Sequence, residues 1–157
     1  MFRRAAVLPL LLLVLAGAAA HADQAIDGNT LEIQGQRVRL FGIDAFEPGQ
    51  TCLDAGGQPW RCGAAAEAAL AELIQDHGVA CTVVGEDDPE QYVARCTVRD
   101  EVDVGSYMIR AGLAVADPAA SGEYADAEAV ARRARAGAWD GTFTQPWDWR
   151  EQQARTR

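Results

Sequence analysis

Apolar residues occupy every second position in two short runs, 31–33 and 38–40, which Gln34-Gly35-Gln36 separates. Alternation with a period of two is typical of strands with one buried face, and a glycine between two such runs is typical of a tight turn. The pattern therefore predicts a β-hairpin. Arg37 and Arg39 lie on the polar side of its second strand.

Helical and further strand patterns follow. The segment 63–75 is rich in Ala and Leu, with its larger apolar residues on one side and Gly78 just beyond, so it predicts a helix. The remaining predicted elements are a second hairpin from 79–84 and 92–98 around an acidic turn at 85–90, a short helix at 104–111 capped by Asp103, and a longer helix at 124–136. The acidic turn is expected to be a solvated loop, with a cation site as the alternative. The three tryptophans of the tail at 139–149 are expected to cover the core, with stacking on bases as the alternative.

The first 22 residues have the composition of a secretory leader. Arg3 and Arg4 precede an apolar run from Ala5 to Ala20, which closes in Ala20-His21-Ala22. This arrangement predicts a signal peptide cleaved after Ala22, with an uncleaved membrane anchor as the alternative. We therefore expect one monomeric domain at 23–157, periplasmic or secreted, with no transmembrane segment after cleavage.

The charge of the chain bears on its partners. Excluding the leader removes two arginines and no acidic residue, which moves the formal net charge from -9 to -11. Nucleic-acid-binding domains usually carry a basic face, because neutralised phosphates supply much of their affinity. The acidity thus disfavours a polyanion, although a local cluster such as Arg132, Arg133 and Arg135 could hold one phosphate. The dipole of the predicted helix explains the same arginines without a ligand.

Four cysteines follow the predicted leader: Cys52, Cys62, Cys81 and Cys96. An even number in an exported protein predicts two disulfides, for which three pairings are possible. Local pairing is favoured, because the first two flank a Gly56-Gly57 turn and the last two lie in runs expected to pair as strands. A zinc site is the rival interpretation, but the sequence has no C-x-x-C and only His77 outside the leader. A catalytic role for His77 is a further, weaker alternative.

The region of the first hairpin resembles the staphylococcal nuclease family. Asp27-Gly28-Asn29-Thr30 is similar to the family's D-G-D-T, and Arg39-Leu40-Phe41-Gly42-Ile43-Asp44-Ala45-Phe46-Glu47 is similar to its R-L-x-G-I-D-A-P-E. The similarity continues to residue 149 through short matches such as Trp60-Arg61-Cys62-Gly63 and Val93-Ala94-Arg95-Cys96. It implies an α+β fold, a five-stranded OB-fold β-barrel with three packed helices.

The resemblance also implies phosphodiester hydrolysis by water with one Ca²⁺. In that chemistry two aspartates hold the metal, a glutamate activates the water and two arginines grip the phosphate. By position, Asp44 matches the second metal aspartate, and Ala45 matches the residue whose backbone carbonyl also binds the metal. Glu47 matches the water-activating glutamate, and Arg39 matches the first phosphate arginine.

Three positions depart from the family pattern. Asn29 replaces the first metal aspartate, so an oxygen is kept but its charge is lost. Gln91 stands at the position of the second arginine, with acidic neighbours, and Phe46 replaces a proline that stiffens the turn before Glu47. Loss of one charge-stabilising donor typically costs about 10² to 10³ in rate. We therefore expect a pseudoenzyme with weak Ca²⁺ binding, weak or lost phosphodiesterase activity, and a binding or structural role in the cell envelope.

Other hypotheses remain at this point. The chain could be an active Ca²⁺-dependent nuclease or phosphodiesterase with altered metal use, acting on nucleic acid or a smaller phosphate-containing ligand. It could also be an interaction module whose barrel groove holds a peptide or a sugar. Finally, Arg39, Asp44 and Glu47 could form a purely structural ion-pair network at the mouth of the barrel.

Overall fold

The computed structural model describes residues 23–75, 77–99, 101–120 and 122–156. The predicted leader lies outside these ranges, so its cleavage stays a prediction. The strands in the described ranges are β1 (Gln24–Ala25), β2 (Thr30–Ile33), β3 (Gln36–Leu40), β4 (Ile43–Ala45), β5 (Cys52–Leu53), β6 (Pro59–Trp60), β7 (Val79–Asp88), β8 (Gln91–Val98), β9 (Val102–Asp103) and β10 (Ala114–Ala116). The helices are α1 (Cys62–Ile74), α2 (Val104–Arg110), α3 (Ala125–Ala134) and α4 (Pro146–Arg155), with a 3₁₀ turn at Gly137–Asp140.

One curled sheet organises the molecule, in the order β1-β2-β3-β8-β7, with β9 added beside β8. Neighbouring strands in this sheet are antiparallel, except that β3 and β8 run parallel. Two small antiparallel sheets, β4 with β10 and β5 with β6, complete the strand pairing. The arrangement confirms the predicted α+β OB-fold. The described ranges contain no helix long and apolar enough to cross a membrane.

The predicted first hairpin is present as β2 and β3. Gln34 and Gly35 both have positive φ values, 51° and 81°, which is the backbone of a two-residue turn that follows the natural twist of the strands. The resulting register sets Thr30 directly opposite Arg39. The turn therefore fixes the position of Arg39, one of the candidate site residues.

Helix α1 packs its small apolar face against the sheet, and Ala66, Leu70 and Ile74 are buried there. Its first turn makes a close backbone contact. A Cβ atom on Gly63 would lie 1.6 Å from the carbonyl oxygen of Glu47, so only glycine allows this approach. The chain that leaves β4 is thereby held against the start of α1.

Both predicted local disulfides are present, Cys52–Cys62 and Cys81–Cys96. Each of the four cysteines is thus paired in a disulfide, and none of them is available as a zinc ligand. The first disulfide belongs to a small apolar cluster with Phe46 and Ala138, against which Trp60 and Phe143 pack. This cluster joins the segment after β4 to the tail that leads into α4.

Two segments differ from the sequence-based expectation. The predicted acidic turn is mostly strand, because β7 continues through Asp88 with irregular pairing to β8. The sequence predicts a tail that only covers the core, whereas the tail also forms a fourth helix, α4, with Pro146 in its first turn. Side chains of the longer β7 and of α4 therefore lie near the candidate site residues.

Candidate functional site

A cleft of about 540 Å³ opens between the sheet, β4 and α4. Its walls come from β2, β3, β4, β7 and α4 and from the loops beside them. The lining residues are Asp27, Asn29, Thr30, Arg39, Ile43, Asp44, Glu47, Asp87, Asp117, Pro118, Trp147 and Arg150. Four of the sequence-predicted site residues, Asn29, Arg39, Asp44 and Glu47, are therefore brought together in one place.

Asp44 lies at the centre of β4, between the core residues Ile43 and Ala45. It is 9% exposed and lines the cleft. Glu47 follows the end of the strand, where its backbone contacts Gly63 of α1. The two carboxylates are thus positioned by a short strand and by a close helix contact.

Arg150 of α4 reaches both of these carboxylates. Its Nη1 and Nη2 donate to Oδ1 and Oδ2 of Asp44 at 2.9 and 2.7 Å, and Nη1 also donates to Oε1 of Glu47 at 2.7 Å. The hydrogen bonds to Asp44 raise the pKa of Arg150 above its usual value; burial opposes this rise, and Glu47 adds to it. The contact with Asp44 is bidentate, and bidentate hydrogen bonding is the strong form of an arginine–carboxylate pair.

Arg39 is engaged by a different carboxylate. Its Nη2 donates to Oδ1 of Asp87 at 2.9 Å, and its Nε donates to the other oxygen of the same group. This hydrogen bonding lowers the pKa of Asp87 and raises the pKa of Arg39. The guanidinium expected to grip a phosphate is therefore paired with an acid supplied by β7.

The remaining predicted residues lie in different surroundings. The backbone N–H of Asn29 donates to Oδ1 of Asp27 at 2.9 Å. Ala45 is buried and pairs with Ala114 across β4 and β10. Gln91 begins β8 opposite Arg37 and does not line the cleft.

His77 and the arginine cluster at the end of α3, the other candidate residues, do not line the cleft. Arg99 donates through Nε to Nε2 of His77 at 3.0 Å. Arg132 donates a hydrogen bond from Nη2 to Oε2 of Glu128 at 2.6 Å, and its guanidinium lies over the Trp139 ring. Neither this histidine nor Arg132 therefore adds a group to the cleft.

Gln50 is a residue of the site that sequence reasoning did not single out. It is fully buried, its Oε1 accepts from the backbone N–H of Glu47 at 3.1 Å, and its Nε2 donates to the carbonyl of Thr144 at 2.6 Å. It therefore ties the Glu47 turn to the segment that leads into α4. The available signal was its place in Gln50-Thr51-Cys52, two residues before a disulfide-bonded cysteine.

The family model described as staphylococcal nuclease homologue matches residues 37–141. The chain belongs to the staphylococcal nuclease family. It is also similar to the succinoglycan biosynthesis protein ExoI of Rhizobium meliloti (strain 1021), with 40% identity over 116 residues. That match covers 73% of this chain and 61% of the relative, so the chain spans less than two thirds of that protein's length. The resemblance inferred from the hairpin region is confirmed.

Staphylococcal nuclease family members are typically Ca²⁺-dependent. In the described ranges, no group of three or more His, Cys, Asp or Glu side chains is arranged to hold a metal ion. Both oxygens of Asp44 and one of Glu47 accept hydrogen bonds from Arg150. Ca²⁺ needs about six to eight oxygen ligands, so the residues do not fit this ion in their present arrangement.

Proposed function

We propose that the chain is a nuclease-family domain with weak or lost phosphodiesterase activity and a binding or structural role. The supporting observation is that Arg150 bonds both Asp44 and Glu47 while Arg39 bonds Asp87. The groups that would hold a metal, activate water or grip a phosphate are thus already paired inside the protein.

The charge of the cleft supports the same proposal. Five carboxylates and two guanidinium groups line it, which gives a formal charge of about -3 by counting the lining residues. A phosphodiester would have to compete with Asp87 for Arg39 inside this acidic cleft. The amide of Asn29 removes one more metal-binding charge, and effects of groups that act together need not add.

An exported location fits the two disulfides, which persist in oxidising compartments. Together with the predicted leader, they support a periplasmic or secreted protein. Since ExoI is named a succinoglycan biosynthesis protein, polysaccharide synthesis is a setting in which a binding role of this chain can be examined.

An active Ca²⁺-dependent nuclease is the second candidate. The observation in its favour is that Arg150 lines the same cleft as Arg39, so α4 supplies a second guanidinium that the Gln91 position lacks. In that case Arg150 would leave the carboxylates and contact the phosphate of a nucleic acid.

Hydrolysis of single-stranded DNA and RNA with millimolar Ca²⁺ separates the two candidates. We expect turnover at least about 100-fold below that of an active family nuclease assayed in parallel, in line with the loss of one charge-stabilising donor. Comparable turnover that Glu47→Ala abolishes would refute the proposal. If Arg150→Gln also lowers that turnover, the second candidate is supported.

A further inference from the structure

We infer that Arg150 is an internal cation that keeps a divalent-cation site at Asp44 and Glu47 closed. The inference rests on the proposed function and deepens it, because it names the ligand class and the residue that excludes it. The ligand class is a hard divalent cation such as Ca²⁺.

Arg150 and such a cation cannot bind the two carboxylates at the same time. A cation that bridges Asp44 and Glu47 must use their carboxylate oxygens, and three of these four oxygens accept hydrogen bonds from the guanidinium. Nη1 lies between the two side chains, at 2.9 Å from Asp44 and 2.7 Å from Glu47. The guanidinium therefore occupies the space where the cation's charge would be needed.

Packing of α4 delivers the guanidinium to this position. Pro146 is buried at the start of the helix, and Gln50 bonds the preceding segment through Thr144. A Cβ atom on Gly49 would lie 3.6 Å from the Trp149 ring, so the helix also packs on the turn that carries Glu47. A tethered group competes at a high effective concentration, which a free cation must overcome.

Removal of the guanidinium should open the site. Asp44 and Glu47 would then lose the counterion they share, and Asn29 lines the same cleft with a neutral oxygen. Asp27 and Asp117 add negative potential from other parts of the cleft wall. All of these features favour a cation once Arg150 is removed.

The test compares Arg150→Gln with Arg155→Gln. Arg155 lies on the same helix and pairs with Glu151, so its variant removes the same charge without touching the cleft. Calorimetric titration with CaCl₂ and Tb³⁺ luminescence sensitised by Trp147 report binding. We expect Arg150→Gln to bind at least about tenfold more tightly than the wild type and Arg155→Gln, because its carboxylates are free to ligate. Asp44→Asn in the same background should remove the gain.

A folded Arg150→Gln variant with unchanged cation affinity would overturn the inference. So would wild-type protein that binds either ion with submillimolar affinity, a result that needs no variant to fold. Arg150→Met replaces the glutamine variant if circular dichroism shows that the latter is unfolded. The nuclease assay remains separate, because wild-type turnover tests the proposed function and not the exclusion of a cation.

Discussion

At the scale of single residues, Gln50 joins the turn of Glu47, which lines the cleft, to the segment before α4 through one buried amide. We predict that Gln50→Ala lowers the free energy of unfolding by about 1–3 kcal/mol, because it leaves the partners of two part-buried hydrogen bonds unsatisfied. Urea denaturation measures the change. Gln152→Ala, on the exposed surface of α4, is the control and should stay within about 0.5 kcal/mol of the wild type. Equal effects of the two substitutions would contradict the role of Gln50.

Tyr124 gives the protein a pH-dependent contribution to stability. Burial raises the pKa of Tyr124 above its ordinary value of 10.0, and Asp103, which accepts its hydroxyl hydrogen bond at 3.2 Å, raises it further. The neutral phenol is favoured in the folded state, so this contribution is complete below about pH 10 and is lost as the pH rises through the folded pKa.

We therefore predict that Tyr124→Phe makes the stability less dependent on pH above about 10. Urea denaturation at a series of alkaline pH values measures this dependence. Tyr107→Phe, at an exposed position, is the matched control and should keep the wild-type dependence. An unchanged alkaline profile in Tyr124→Phe would contradict the prediction.

At the scale of elements, the contact between α1 and the end of β4 positions Glu47. We predict that Gly63→Ala destabilises the protein by about 3 kcal/mol, because the added methyl group meets the backbone of Glu47 and the chain must shift. Thermal and urea denaturation measure the loss. Gly78→Ala is the control, since a Cβ atom there meets nothing within 4 Å. A small effect at Gly63 would show that the turn yields without cost.

The elements that the sequence predicts are those with local patterns. Alternation and the Gln34-Gly35 turn identify the first hairpin, and the Ala-rich run identifies α1. The sequence also predicts Asp103 as a helix cap, and its side chain accepts from the N–H of Ser106 at 2.6 Å. Short-range periodicity and capping carry this information because each involves neighbours along the chain.

The ion pairs of the cleft could not be predicted in the same way. Arg150 and Asp44 are 106 residues apart in the chain, and Arg39 and Asp87 are 48 apart. No local pattern reports which distant charges meet after folding. Pro146, followed by an acid in the first turn and Arg155 in the last, was a helix signal within the tail, although it does not specify the partner of Arg150.

At the scale of the whole molecule, the formal net charge, -9 for the full chain and -11 without the predicted leader, sets how a nucleic acid meets the protein. A binder that neutralises about six to ten phosphates loses about 10³- to 10⁵-fold in affinity between about 50 and 200 mM salt. We predict no such loss here, because repulsion by the acidic surface weakens as salt screens it. Fluorescence anisotropy of a labelled single-stranded oligonucleotide measures the dependence, and a steep loss of affinity with salt would contradict the prediction.

Two matched variants on β7 separate this general repulsion from the local pairing of Arg39. Asp87→Asn and Glu86→Gln each remove one negative charge, but only Asp87→Asn releases Arg39 from its ion pair. We expect Asp87→Asn to raise oligonucleotide affinity about five- to tenfold more than Glu86→Gln at low salt, because a freed guanidinium makes charge-assisted hydrogen bonds to phosphate. Equal affinities in the two variants would mean that Asp87 does not restrain Arg39, and that net charge alone keeps a polyanion from the cleft.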